Sequence, residues 1–191
     1  MNNKNKLLLL ISRKIKRETL AIPKIENLSK NNSYLIKNIE TTTAHFGKLE
    51  GTDHYYKIET EKDFDLFISI LVPKKKKENE VNTKVFFEFM DENFNIINLK
   101  DFKTGFQKDF KWLEFYEKRS KKWYWVGPPG IKKDFKDIIK NYPKGTYYIR
   151  VFNDKKKGNY CLSTGINDAK LSFFDLFRLR GLFPKISDFW K

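Results

Sequence analysis

The sequence predicts a mainly β protein: an antiparallel β-sandwich, jelly-roll-like, with a C-terminal helical extension. Three observations predict it. Tyr147, Ile149 and Val151 alternate with Thr146 and Arg150; after a Lys-rich turn, Tyr160 and Leu162 alternate with Asn159 and Ser163. Period-two patterning with β-branched and aromatic residues marks half-buried strands, here read as a closing hairpin. Phe64, Leu66, Ile68, Ile70 and Val72 alternate without a gap until Pro73 ends the run. Six to eight such segments recur along the chain, while helical spacing is confined to its last part.

Taken in order, residues 1–33 read as a basic leader. Lys4 and Lys6 precede Leu7-Leu8-Leu9-Leu10-Ile11, and Arg13, Lys14, Lys16 and Arg17 follow. A secretory apolar region needs about 7–15 residues, so this one reads as a degenerate signal or a membrane-proximal segment. Residues 34–167 form the predicted sandwich domain. Its strands are Thr41 to Leu49, His54 to Glu59, Phe64 to Val72 and Val85 to Met90, followed by a turn at Asp91-Glu92-Asn93 and a return over Phe94 to Leu99. Residues 100–122 are aromatic without a strict period and predict a long connection with a short helical turn. Trp123 to Val126 is a short strand, broken by Gly127-Pro128-Pro129-Gly130. Phe135 to Tyr142 predicts a helical turn before the closing pair. Residues 168–191 form an amphipathic helical extension, with Leu171, Phe174 and Leu179 at helical spacing and Arg178 and Arg180 near its end.

Composition bounds function. A chain of 191 residues with 18 Phe suffices for one domain with a real core. Its net charge of +15 suggests acidic partners, either nucleic acid, anionic lipid or an acidic cell-wall polymer, but a Lys-, Asn-, Ile- and Phe-rich composition explains it better, since net charge speaks to solubility and non-specific contacts rather than to function. Yet only six of its 39 basic residues are Arg, the residue that specific phosphate and base recognition uses most, so no specific nucleic acid is expected. A single cysteine, Cys161, excludes an internal disulfide and a cysteine metal cage, and its place in a strand predicts a packing role.

Gly51-Thr52-Asp53-His54-Tyr55-Tyr56-Lys57-Ile58, Leu66 to Pro73, Gly145 to Val151 and Gly158-Asn159-Tyr160-Cys161-Leu162 occur in that order. Together they resemble the bacterial pre-peptidase C-terminal type of β-sandwich. Trp123-Tyr124-Trp125-Val126-Gly127-Pro128 and the apolar C-terminus are similar to those of a group of bacterial envelope proteins. The resemblance spans about residues 41–165. It implies a non-catalytic accessory domain of the cell envelope or of a secreted protein, with no catalytic residue and no cofactor.

His45 and His54 are the only histidines and, even with Asp53 or Glu50, give an incomplete zinc set, so strand positions explain them better. Asp91-Glu92-Asn93-Phe94-Asn95 begins like a calcium loop, but Ile96 and Phe102 replace its glycine and its bidentate glutamate; a hairpin turn explains it better. Glu114 and Glu117 sit among aromatics, as sugar-cleaving carboxylates do, although such a pair on a short helix ordinarily faces solvent. No nucleophile elbow, zinc-protease motif, phosphate loop or dinucleotide fingerprint occurs, and the chain is read as no enzyme.

The binding candidates are Trp123, Tyr124 and Trp125, with Lys74, Lys75, Lys76 and Lys77. Alternation puts the two tryptophans on one face, suited to stacking on a sugar or to filling the core. The favoured reading is a non-catalytic binding module of the bacterial envelope, with a polysaccharide or an envelope protein as partner. The alternative is a basic peripheral protein held to anionic membrane or nucleic acid by charge, with Leu171 to Trp190 as a membrane-interface segment.

Overall fold

The structure is a computed structural model and describes residues 19–75, 79–97, 111–117, 121–127 and 140–167, with Pro184. The described residues are mainly β. In chain order the strands are β1 (Thr19–Ala21), β2 (Tyr34–Ile36), β3 (Thr43–Glu50), β4 (His54–Thr60), β5 (Phe64–Leu66) and β6 (Ile68–Pro73). They continue with β7 (Phe86–Met90), β8 (Leu113–Glu117), β9 (Lys122–Val126), β10 (Lys140–Tyr142), β11 (Gly145–Phe152) and β12 (Lys157–Thr164). One sheet has the order β1-β3-β12-β6-β9-β8, a second β2-β4-β11-β7, and β5 pairs with β10. The β1–β3 and β2–β4 pairs are parallel and the others antiparallel, so the sheets are mixed where the sequence predicted an antiparallel set.

One core lies between the two large sheets. Ile68, Ile70 and Val72 of β6 and Tyr160 and Leu162 of β12 meet Tyr56 and Ile58 of β4, Phe87 and Phe89 of β7, and Ile149 and Val151 of β11. Each is almost wholly removed from water, worth about 1.5–3 kcal/mol per large apolar side chain. That alternate burial is what the period-two pattern encodes. On the other face of the six-stranded sheet, Ala44, Phe46 and Cys161 form a second, smaller buried group against Leu20 and Leu71. Cys161 is a packing residue there.

The expected closing hairpin is not one. β11 pairs with β4 and β7 in one sheet, whereas β12 pairs with β3 and β6 in the other. The turn between them is an arch that crosses the core. Asn153, 5% exposed, shapes it by accepting the Lys157 N–H and donating to the Lys157 carbonyl. The turn from β3 to β4 is a second arch, and the Gly51 N–H donates to the Lys156 carbonyl at 2.7 Å, tying the two together. Gly51 has φ +98°, a conformation that side chains rarely adopt.

Other expectations change in detail. The run from Phe64 to Val72 breaks at Phe67, whose carbonyl accepts the Gly165 N–H, and so serves two sheets as β5 and β6. Residues 113–117 are strand β8, and Lys140 to Tyr142 are strand β10 rather than a helical turn. Of the return expected over Phe94 to Leu99, the described residues, to Ile97, hold a bridge between Met90 and Ile96, and Asn98 and Leu99 lie outside the described residues. Residues 19–33, assigned to the leader from sequence, supply β1, a short 3-10 turn and the buried Leu28. The first eighteen residues lie outside the described residues, and so does the 168–191 extension apart from Pro184.

Candidate binding surface

The β8–β9 hairpin carries the exposed aromatic pair. Its register places Glu114 opposite Trp125 and Tyr116 opposite Trp123. With side chains alternating along each strand, Glu114, Tyr116, Trp123 and Trp125 share one face. Trp125 pairs with Val72 and lies in the core at 5% exposure. Two residues further out, the same face leaves the core: Trp123 is 44% and Tyr116 41% exposed. Their ring centroids stand 5.0 Å apart with planes at 45°. Tyr124 points to the opposite side and is buried. Of the three aromatics singled out in the sequence, only Trp123 is open to a ligand. Its partner Tyr116 was missed because the segment around it read as a connection, although alternating Leu113 and Phe115 carry a strand signal.

Lys74 holds this hairpin to the sheet. Its N–H donates to the Trp123 carbonyl at 3.0 Å. Its ammonium pairs with Glu114 and lies 4.3 Å from the Trp125 ring centre, with the side chain only 11% exposed. Lys74 is therefore committed to the fold by an ion pair and a cation–π contact. Lys75 is exposed, while Lys76 and Lys77 lie outside the described residues.

The two histidines serve the core. His54 Nδ1 and the Tyr160 hydroxyl are 2.8 Å apart, and Tyr160 and Tyr56 hydroxyls are also 2.8 Å apart. His45 Nε2 bonds the Thr164 hydroxyl at 3.2 Å, and its ring meets Tyr56 and Tyr34 edge-on. Burial pushes His45 down to about 3 and lowers His54 as well, with Asp53 and Glu50 opposing the latter. Burial likewise raises Tyr56 and Tyr160. All four are held neutral and shielded from solvent, which suits a core network better than proton transfer to a ligand.

The remaining candidates resolve simply. The Asp91 carboxylate accepts the N–H groups of Asn93 and Asn95 and the Asn95 side chain, so it closes a turn. These bonds, the Asn95 side chain first, lower its pKa. Glu114 and Glu117 lie on opposite faces of β8 and do not flank one site. Among the described residues, no group of three or more His, Cys, Asp or Glu side chains converges on a metal position. Also among them, no helix is long and apolar enough to cross a membrane. No protein-family model matches the chain, and neither does any curated protein.

Proposed function

We propose that the chain is a non-catalytic β-sandwich module of the bacterial envelope that binds polysaccharide on the Tyr116–Trp123 pair. One observation carries the reading: two large aromatic side chains, directly opposed across strands, stay exposed at the rim of an otherwise well-filled core. A sugar ring presents C–H groups on its flat face, and an indole with a neighbouring phenol offers matching apolar area bordered by polar groups. The wiring supports the jelly-roll-like form. β3 and β4 run antiparallel to β12 and β11, so a two-stranded ribbon bends across both layers at the two arches.

Affinity electrophoresis through cell-wall polysaccharides tests the proposal. Retention of the native protein and its loss in Trp123→Ala, with thermal unfolding unchanged, is the expected result. Unchanged retention in that variant removes the aromatic pair from the account. The net charge of +15 favours a second reading, a peripheral protein held to anionic lipid or nucleic acid. Liposome and DNA retention that falls steeply with salt, and ignores Trp123→Ala, would favour it.

A further inference from the structure

The six-stranded sheet is apolar on both faces. On the side away from the core, one register row crosses five strands: Phe46 of β3, Cys161 of β12, Leu71 of β6, Val126 of β9 and Leu113 of β8. Tyr124 and Phe115 oppose each other on the same side, two residues along. Pairing within a sheet does not by itself bury such residues, since Tyr116 and Trp123, opposed in the same hairpin, are 41% and 44% exposed. Yet Phe46 is 6%, Cys161 4%, Tyr124 4% and Val126 3% exposed. Leu20 and Leu71, the partly buried residues packed against Ala44, Phe46 and Cys161, are lateral neighbours in that sheet. Burial this deep needs a layer above the sheet.

We infer that the C-terminal segment, residues 168–191, is that layer, docked on the outer face through the apolar stretch from Leu171 to Phe183. The described chain reaches Asn167 directly after β12, the strand that carries Cys161. There the Asn167 carbonyl accepts the Thr42 N–H at 2.8 Å and its N–H donates to the Glu40 carbonyl, which fixes the exit beside the start of β3. The row from Phe46 to Leu113 spans four strand spacings, about 19 Å. About thirteen residues of helix cover that length, as Leu171 to Phe183 supply, with Phe173, Phe174, Leu176 and Phe177 among them. The apolar run Leu7 to Ile11 near the other terminus would span only about 8 Å and is flanked by lysine and arginine. Residues 98–110 and 128–139 join this sheet at β8 and β9, on the side remote from Ala44 and Phe46. A C-terminal segment docked in this way withholds its apolar side chains from a membrane.

Cys161, the only cysteine of the chain, reports on the cover from beneath it. In the full chain a maleimide should label it far more slowly in native buffer than in urea. Phe174→Glu with Phe177→Glu should speed native labelling by roughly tenfold or more. Because that variant could also loosen the core, a second measurement fixes the partner. Phe173→Cys, Phe174→Cys, Leu176→Cys and Phe177→Cys are made one at a time, oxidised with copper phenanthroline and mapped by mass spectrometry. At least one should form a disulfide with Cys161, as contact across the layer allows. No such bond from any of the four overturns the inference. So does a bond formed instead from Leu9→Cys, Phe102→Cys or Phe135→Cys, which gives the cover to another segment. Protection that is lost on dilution gives it to a second copy of the chain, and native labelling as fast as in urea means that nothing covers the face; either result also overturns it.

Discussion

Gly47 stands directly across the β3–β12 ladder from Tyr160, and the Tyr160 ring occupies the space that a side chain at position 47 would need. A Cβ there would come within 2.6 Å of nothing but that ring, and to 2.4 Å of its hydroxyl end. The glycine thereby admits the Tyr160 hydroxyl to its bonds with His54 and Tyr56.

Gly47→Ala should therefore destabilise the fold by about 1–3 kcal/mol, the ordinary cost of overpacking. Thermal unfolding reads the loss. Tyr160→Phe keeps the ring and removes the hydroxyl, leaving His54 and Tyr56 without their shared partner, at a cost of about 1–3 kcal/mol. If the alanine variant melts with the native protein, the close approach is not a constraint on the fold.

Acid should weaken the protein before its carboxylates titrate. His45 is lowered by burial from an ordinary value of 6.5 to about 3. The unfolded chain then binds a proton that the folded one refuses, so this contribution is complete above the unfolded value and fades as pH falls from about 6.5 toward 3. Between pH 7 and pH 5 the loss for one such histidine is about 2 kcal/mol. Urea unfolding at the two pH values, in native protein and His45→Phe, measures it. The variant should show the smaller pH dependence, with the depressed His54 contributing what remains.

The two tryptophans of β9 should part company. Trp125→Ala opens the core and should cost about 3–5 kcal/mol. Trp123→Ala lies on the rim and should stay within about 0.5 kcal/mol of the native protein. Paired denaturation and binding assays separate the roles; a large stability loss in Trp123→Ala would show that the rim belongs to the core.

Arg150 of β11 joins β7 to the turn before β4 on the outer face of the four-stranded sheet. It donates to Asp53 through Nε at 3.0 Å and to Glu88 through Nη1 at 3.0 Å, and its guanidinium lies over Phe152. Arg150→Ala should cost about 1–2 kcal/mol, because the carboxylates are partly buried but the arginine remains open to solvent screening. Arg150→Lys should recover little of it, since one ammonium cannot serve both acids with a fork's geometry. Thermal melts at low and high salt test this, and a full recovery by lysine would refute it.

The buried faces were legible in the sequence. Phe64, Leu66, Ile68, Ile70 and Val72 all point to the core as their alternation requires, as do His54, Tyr56 and Ile58. Strand partners were not legible. A period of two says which face is buried and nothing about which strand lies alongside, so an arch from β11 to β12 carries the same pattern as a hairpin. The binding surface was half legible for the same reason. Alternation places Trp123 with Trp125 but does not say how far along the strand the core extends, so it could not tell that Trp125 is covered and Trp123 open. Strand β8 escaped because its aromatics continue a stretch without strict period.

The paired arches have a kinetic consequence. Since β3 meets β12 and β4 meets β11, contacts such as that of His45 with Thr164 join residues 119 positions apart. Little can be gained early from neighbours in the chain, and both ends of the ribbon must find each other before either layer closes. Folding governed by such distant meetings is slow, on the order of milliseconds to seconds, and a nascent chain emerging from synthesis would stay incomplete until its β12 segment arrived.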